Sequence, residues 1–419
     1  MTTRGNNQSY KFAFVLLTSL FFFWGLANNM TDTLLAAFKH IMSLSDTQTS
    51  LIQMAFYGAY FCFALPAALF IKKFSYRSGI VLGLSLYACG AMMFYPAAVA
   101  ESYFVYLAAI YILAGGCSIL ETVANPYILS MGSPETATRR LNLAQSFNPF
   151  GSITGILLSR FFILRGLQNY TAEDRATMSP DMLKVIQTDE LDAITFTYMG
   201  VGEILLLVMI IMFFVNFPTG SDDGKFEIRT SFKRLFKNKR YVFGTIAQFF
   251  YVGAQICVWS FTIRMTMHIT GKGEVDSSDV YLISIILFAV SRFLFTYLMR
   301  FIKAERLLVI AAASALICSI GVILFSGVLA LAALVAISVF MSLMFPTICG
   351  CSLKDTGDDA KIAASGQVMA IVGGAVITPL QALLSDYAGI TISFIVPTFC
   401  FAVVLAFALS LCKGEVQKS

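Results

Sequence analysis

Charged side chains are scarce in this chain, making up 13% of its 419 residues, about half the share found in soluble proteins. A water-soluble fold of this length could not cover its surface with so few. Histidine is scarcer still: there are two, His40 and His268, far apart in the chain. An enzyme built on a metal or on histidine needs clustered ligands, which two isolated residues do not supply. They are read as wetted residues at span ends. No Gly-rich loop with the phosphate-cradling pattern occurs, which argues against ATP as an energy source. The nine cysteines lie in or at the ends of apolar blocks and make no disulfide framework. Cys349-x-Cys351 alone lacks the ligand set of a metal site, so the cysteines are read as small packing residues.

Apolar residues are abundant instead, at 58%, and they come in long blocks such as 12–27, 80–95 and 307–325. A helix needs roughly 20 largely apolar residues to cross ~30 Å of hydrocarbon. Marking the blocks gives spans near 11–38, 48–71, 79–98, 102–131, 140–164, 193–217, 241–268, 279–299, 306–327, 328–350, 361–385 and 390–412. The pattern predicts an all-α membrane protein with twelve transmembrane helices. The least marked boundary is that between the ninth and tenth spans, where the Gly327 region alone separates two apolar runs. The first apolar segment continues into a polar but helix-compatible stretch, so it is expected to be a retained first span rather than a cleaved signal.

Positive charge is distributed unevenly. Most of the 29 Lys and Arg residues fall on one side of the spans, among them Lys72, Lys73, Arg77, Arg139, Arg140, Arg300 and Arg306. By the positive-inside rule that side is cytoplasmic, which places both termini there and requires an even number of spans. Arg160 and Arg292 lie within spans. The longest basic stretch, 225–240, joins the sixth and seventh spans. It divides the chain into an N-terminal half (1–217), a basic cytoplasmic linker (218–240) and a C-terminal half (241–419). A basic stretch there suits anionic lipid headgroups better than nucleic acid, and no nucleic-acid partner is expected.

The halves repeat. Phe21-Phe22-Phe23-Trp24-Gly25 in the first span is matched by Phe249-Phe250-Tyr251-Val252-Gly253 in the seventh, and His40 by His268. Gln145 precedes Gly151 in the fifth span as Gln367 precedes Gly373 in the eleventh, and Pro126 is matched by Pro346. Two parallel six-helix repeats place a binding site between the halves near mid-membrane, lined by the spans that break the apolar pattern.

An ionisable group within a span costs ~2.5–3.5 kcal/mol on insertion scales, so it is a functional hypothesis by default. Gly25, Asn28 and Asp32 share one face of the first span, beside Asn29. Ser118, Glu121 and Asn125 do so in the fourth. Asn142, Gln145, Asn148 and Ser152 form a stripe in the fifth, Gln248, Gln255 and Trp259 another in the seventh, and Gln367 marks the eleventh. Interhelical hydrogen bonding is the structural alternative, at about 0.6 kcal/mol per bond, and it fits Asn142 or Gln248 better than it fits the two carboxylates. Amides and carboxylates both accept and amides donate, which suits a hydroxyl-rich ring, and Trp24, Tyr251 and Trp259 offer aromatic faces for its C–H surface. A carboxylate taken out of water holds a proton more tightly, so Asp32 and Glu121 are candidates to carry one.

These residues also resemble a known family. Phe23-Trp24-Gly25-Leu26-Ala27-Asn28-Asn29-Met30-Thr31-Asp32, Leu120-Glu121-Thr122-Val123-Ala124-Asn125-Pro126, Leu141-Asn142-Leu143-Ala144-Gln145-Ser146-Phe147-Asn148 and Tyr251-Val252-Gly253-Ala254-Gln255 are similar to the fucose–galactose–glucose–proton symporters, a family of major-facilitator transporters, and most of all to its fucose branch. The likeness covers nearly the whole chain. It implies a bacterial inner-membrane sugar–proton symporter, monomeric, driven by the proton gradient without a cofactor. It further implies sugar binding at the position of Asp32 and proton coupling at that of Glu121, with Asn28, Asn29, Asn125, Gln145, Asn148, Gln255 and Trp259 as the expected substrate contacts. Met344-Phe345-Pro346-Thr347 and the Ala370–Val376 stretch look closer to the glucose/galactose branch. The fucose branch carries a tyrosine where Phe345 stands, whereas the glucose/galactose branch carries an amide in place of Glu121. L-fucose is the favoured cargo among the hexoses and 6-deoxyhexoses. The segment Lys72-Lys73-Phe74-Ser75-Tyr76-Arg77-Ser78-Gly79 occupies the place of the family's loop between second and third spans but lacks its usual Asp, so a gating salt bridge is not expected there. Asn169-Tyr170-Thr171 matches a glycosylation sequon by chance.

Overall fold

A computed structural model describes residues 3–42, 46–168, 170, 172–215, 228–354 and 356–416. These residues are almost entirely helical and contain no strand, as a bilayer demands, because a helix satisfies its backbone hydrogen bonds within the segment. Eleven helical segments among them are long and apolar enough to cross a membrane. The first span is Thr3–Ile41 and the second Asp46–Lys73. The third is Tyr76–Val99, interrupted at Met93, and the fourth is Tyr103–Ser130.

The fifth span completes the twelve and departs from the expected single helix. It is broken into Ala137–Gln145, Asn148–Leu158 and a π-helical turn, Ser159–Ile163. Pro149 explains the break, because a proline disfavours helical geometry in the residue before it and donates no amide bond. The sixth span runs Pro180–Phe214, starting well before residue 193. Ser179 caps it by accepting from the Met182 amide, and Pro180 takes the first turn, where its missing N–H costs nothing.

In the second half the seventh span is Lys239–Thr270, the eighth Glu274–Leu298 and the ninth Ala304–Leu324. The chain turns at Phe325 and Ser326, and Gly327 opens the tenth span at φ +60, a left-handed conformation that glycine adopts without a Cβ clash. The tenth is two helices, Gly327–Met341 and Met344–Leu353, with Pro346 in the first turn of the second. The eleventh, Gly357–Ala388, and the twelfth, Ile390–Lys413, finish the membrane part. Ahead of the seventh span, a short helix, Ile228–Lys237, carries part of the basic linker, and its Arg234 grips Asp359 through two 2.7 Å bonds.

The chain forms two compact units: Met1–Ala124 with Phe150–Ser221, and Asn125–Pro149 with Asp222–Ser419. Glycines set how closely helices approach within each. A Cβ on Gly151 would stand 1.8 Å from the Phe22 carbonyl of the first span, and one on Gly155 would stand 2.8 Å from that of Leu26. In the other unit a Cβ on Gly373 would stand 2.1 Å from the Phe249 carbonyl of the seventh span. The paired glycines of the sequence repeat therefore make the same backbone-to-backbone contact in each half.

Candidate functional site

Within the first unit the first span meets the second through Trp24, and the second meets the fourth. Trp24 is half-buried and its Nε1 donates to the Tyr60 hydroxyl. Tyr60 is fully buried, and the Ser118 hydroxyl donates to its main-chain carbonyl at 3.1 Å. Glu121, one turn beyond Ser118, is 3% exposed and an electrostatic neighbour of Tyr60 and Cys117. Asn29 is buried and its amide turns back to the Gly25 carbonyl at 3.2 Å, while Asn28 is half-buried. The side chains of Asp32 and His40 lie outside the described residues, as do Asn169 and Thr171 of the sequon.

Within the second unit a separate polar cluster forms at the break in the fifth span. Gln145, fully buried, donates from Nε2 to Asn125 Oδ1 at 3.0 Å, bringing together two of the expected sugar contacts. Its own Oε1 is buried with no hydrogen-bond partner among the described residues. Asn142 donates to the Thr347 hydroxyl of the tenth span at 3.2 Å, so it makes the interhelical bond that its spacing allowed. Asn148 and Gln255 are half-buried. Trp259 is also half-buried, donating to the Ser338 hydroxyl at 3.4 Å and packing edge-on to Phe288 at 5.0 Å. Tyr251 is fully buried, its hydroxyl donating to the Met341 carbonyl at 2.9 Å, and Phe345 lies 6.3 Å from its ring. Gln367 reaches the Thr245 hydroxyl at 2.8 Å. Both amide atoms of Gln248 are buried without a hydrogen-bond partner among the described residues.

Three residues carry more than their sequence context announced. Arg292, noted as lying within a span, is 3% exposed, whereas Arg160, which reads alike in sequence, is exposed. Tyr60 stands in an aromatic-rich apolar run where nothing marks it out. Glu203 is a carboxylate inside the sixth span, exposed on the surface of its unit. Its apolar neighbours would have flagged it on the same insertion-cost argument. At the start of the third span Arg77, lacking the loop aspartate, donates instead to the Phe213 carbonyl and lies over the Phe213 ring. His268 is exposed, as a wetted span end should be. A cavity of about 620 Å³ in the second unit, lined by Arg139, Arg300, Lys303 and Lys354 with Glu135 and Glu305, contains none of the expected site residues. No group of histidine, cysteine and carboxylate side chains that could hold a metal occurs among the described residues.

Comparison with known proteins covers nearly the whole length. The Major Facilitator Superfamily model matches residues 15–371. The L-fucose-proton symporter of Haemophilus influenzae is 40% identical over 413 residues, covering 96% of each chain. A glucose/galactose transporter of Brucella abortus is 32% identical over 410 residues, covering 97% of this chain and 96% of the relative. Among solved structures, the major facilitator transporter FucP, crystallised in the outward conformation, superposes with a TM-score of 0.89 at 35% identity, covering 96% of this chain and 99% of that one.

Proposed function

The chain belongs to the major facilitator superfamily, and from that premise we propose that it is a proton-coupled symporter importing a hexose or 6-deoxyhexose, with L-fucose the favoured cargo. Such a protein moves its substrate without covalent chemistry, so it is a transporter and not an enzyme. One observation carries the reading: a chain 40% identical along nearly its full length to an L-fucose-proton symporter keeps a buried Glu121 beside Tyr60. A carboxyl group so placed gains or loses its charge at a cost that depends on which way its surroundings open, the requirement for coupling proton movement to a conformational cycle.

Asp32 is assigned to sugar binding and shares proton coupling with Glu121. Asn28, Asn29, Asn125, Gln145, Asn148 and Gln255 supply donors and acceptors for hydroxyls, and Trp259 supplies an aromatic face. The proton gradient is the energy source and no cofactor is required. The protein is placed as a monomer in a bacterial inner membrane, with both termini cytoplasmic by the positive-inside distribution. A glucose/galactose reading of the same fold is favoured by Phe345, whose ring offers no hydroxyl at the tenth span, and an amino sugar is the remaining alternative.

The test is uptake of radiolabelled L-fucose, D-galactose, D-glucose and N-acetylglucosamine by cells expressing the chain, with the pH of a lightly buffered medium recorded. L-fucose is expected to accumulate and to alkalinise the medium on addition. Preference for glucose or galactose would move the cargo to the other branch, and accumulation without alkalinisation would overturn proton coupling.

A further inference from the structure

A helix carbonyl normally accepts from the amide four residues on, and proline has no amide hydrogen to give. Pro149 therefore leaves the Gln145 carbonyl unserved, and Pro346 does the same to that of Ser342. One side chain takes both. Arg292 donates from Nη1 to the Gln145 carbonyl at 2.9 Å and from Nε to the Ser342 carbonyl at 2.6 Å. Its guanidinium is buried, lies 4.6 Å from the Phe288 ring centroid, and has no carboxylate at ion-pair distance among the described residues. A permanent cation inside a span is costly to keep, and here it is spent on main-chain oxygens of two broken helices.

We infer that Arg292 is a positioning residue of the transport cycle: it latches the break of the fifth span to the eighth span that carries it and to the break of the tenth. Three features fit. The arginine fork can serve two carbonyls at once, which a lysine ammonium does less well. The latch holds Gln145 by its backbone, fixing the side chain whose Oε1 has no hydrogen-bond partner among the described residues and whose Nε2 is bonded to Asn125. The same stretch of the tenth span closes on the fifth at Gly350, where a Cβ would lie 2.9 Å from the Thr138 hydroxyl oxygen. The inference rests on the symporter reading above, because a rocking transporter must part the fifth span from the tenth when its site opens to the cytoplasm.

The test reads the closed contact without reading sugar. In membranes, the Thr138→Cys/Gly350→Cys variant of the full chain should form a disulfide readily under mild oxidation, located by mass spectrometry among the native cysteines. Adding Arg292→Lys should slow that cross-link by about tenfold or more, the ratio that a charge-assisted hydrogen bond commands. Pro149→Ala offers the Gln145 carbonyl an amide hydrogen of its own and should slow it too, with no change in any side chain that Arg292 touches. Because the bond to the Gln145 carbonyl is lost in either variant, the combined variant should be no slower than the slower single one. Multiplying effects, or a cross-link rate indifferent to Pro149→Ala, would overturn the latch, and the proline variant keeps the test open should Arg292→Lys fail to fold. The expected cross-linking in a chain that accumulates none of the four sugars would support the latch and count against the symporter reading alone.

Discussion

Glu121 and Asp32 are given different tasks, and single substitutions separate them. Glu121 is enclosed with Tyr60 and Cys117 and lies one turn from Ser118. Glu121→Gln keeps the shape and removes the titrating group. It should abolish accumulation against a gradient while leaving sugar exchange, which needs no net proton movement, and equilibrium binding intact. Asp32→Asn should weaken binding itself, measured on the purified variant. Unimpaired binding by Asp32→Asn, or binding lost by Glu121→Gln, would reverse the assignment. Glu121, Asn125 and Gln145 were legible in the sequence because polar residues at helical spacing interrupt an apolar run. Arg292 was visible as a charge but not as a buried one: whether an arginine in a span is enclosed or reaches out depends on the helices beside it, and Arg160 shows the other outcome. Tyr60 was not legible, since its partner Trp24 is 36 residues away and tyrosine is common in such runs.

At the scale of helices, the glycine contacts of the repeat are the firmest constraint. The Gly151 Cα faces the Phe22 carbonyl so closely that any side chain must push the first and fifth spans apart. Gly151→Leu should lower the stability of the purified protein by about 1–3 kcal/mol, the usual cost of overpacking, and Gly373→Leu should act likewise through Phe249. Gly58, where a Cβ would meet nothing within 4 Å, is the control: Gly58→Ala should leave the melting temperature unchanged or raise it, as a helix-interior alanine does. Equal loss from all three would mean that the contacts are not what these glycines serve. The repeat itself was legible from matched residues at near-constant separation. The breaks were not, because hydropathy averages across them. Asn148-Pro149 carried the sequence signal for the break in the fifth span, and Ser179-Pro180 carried that for the early start of the sixth.

For the molecule as a whole, the distribution of Lys and Arg predicts orientation. An alkaline phosphatase fused to the C-terminus should be inactive in cells, while one inserted near Ser179, between the fifth and sixth spans, should be active. The reverse pattern would invert the topology. Twelve crossings and their order were readable because the bilayer imposes a length on every span, and the fold match at a TM-score of 0.89 agrees. The two carbonyls that hold Arg292 have one more property in common. Gln145 is the last residue of Ala137–Gln145, and Ser342 directly follows Gly327–Met341, so each marks the C-terminal end of a helix that stops inside the membrane. The aligned peptide dipoles of a helix leave roughly half a negative charge at that end, and two such ends together come to about one. The guanidinium thus has a counter-charge made of backbone, which no change of pH can protonate, so the balance of charge at this joint stays fixed whatever protons the carboxylates proposed for coupling load and release.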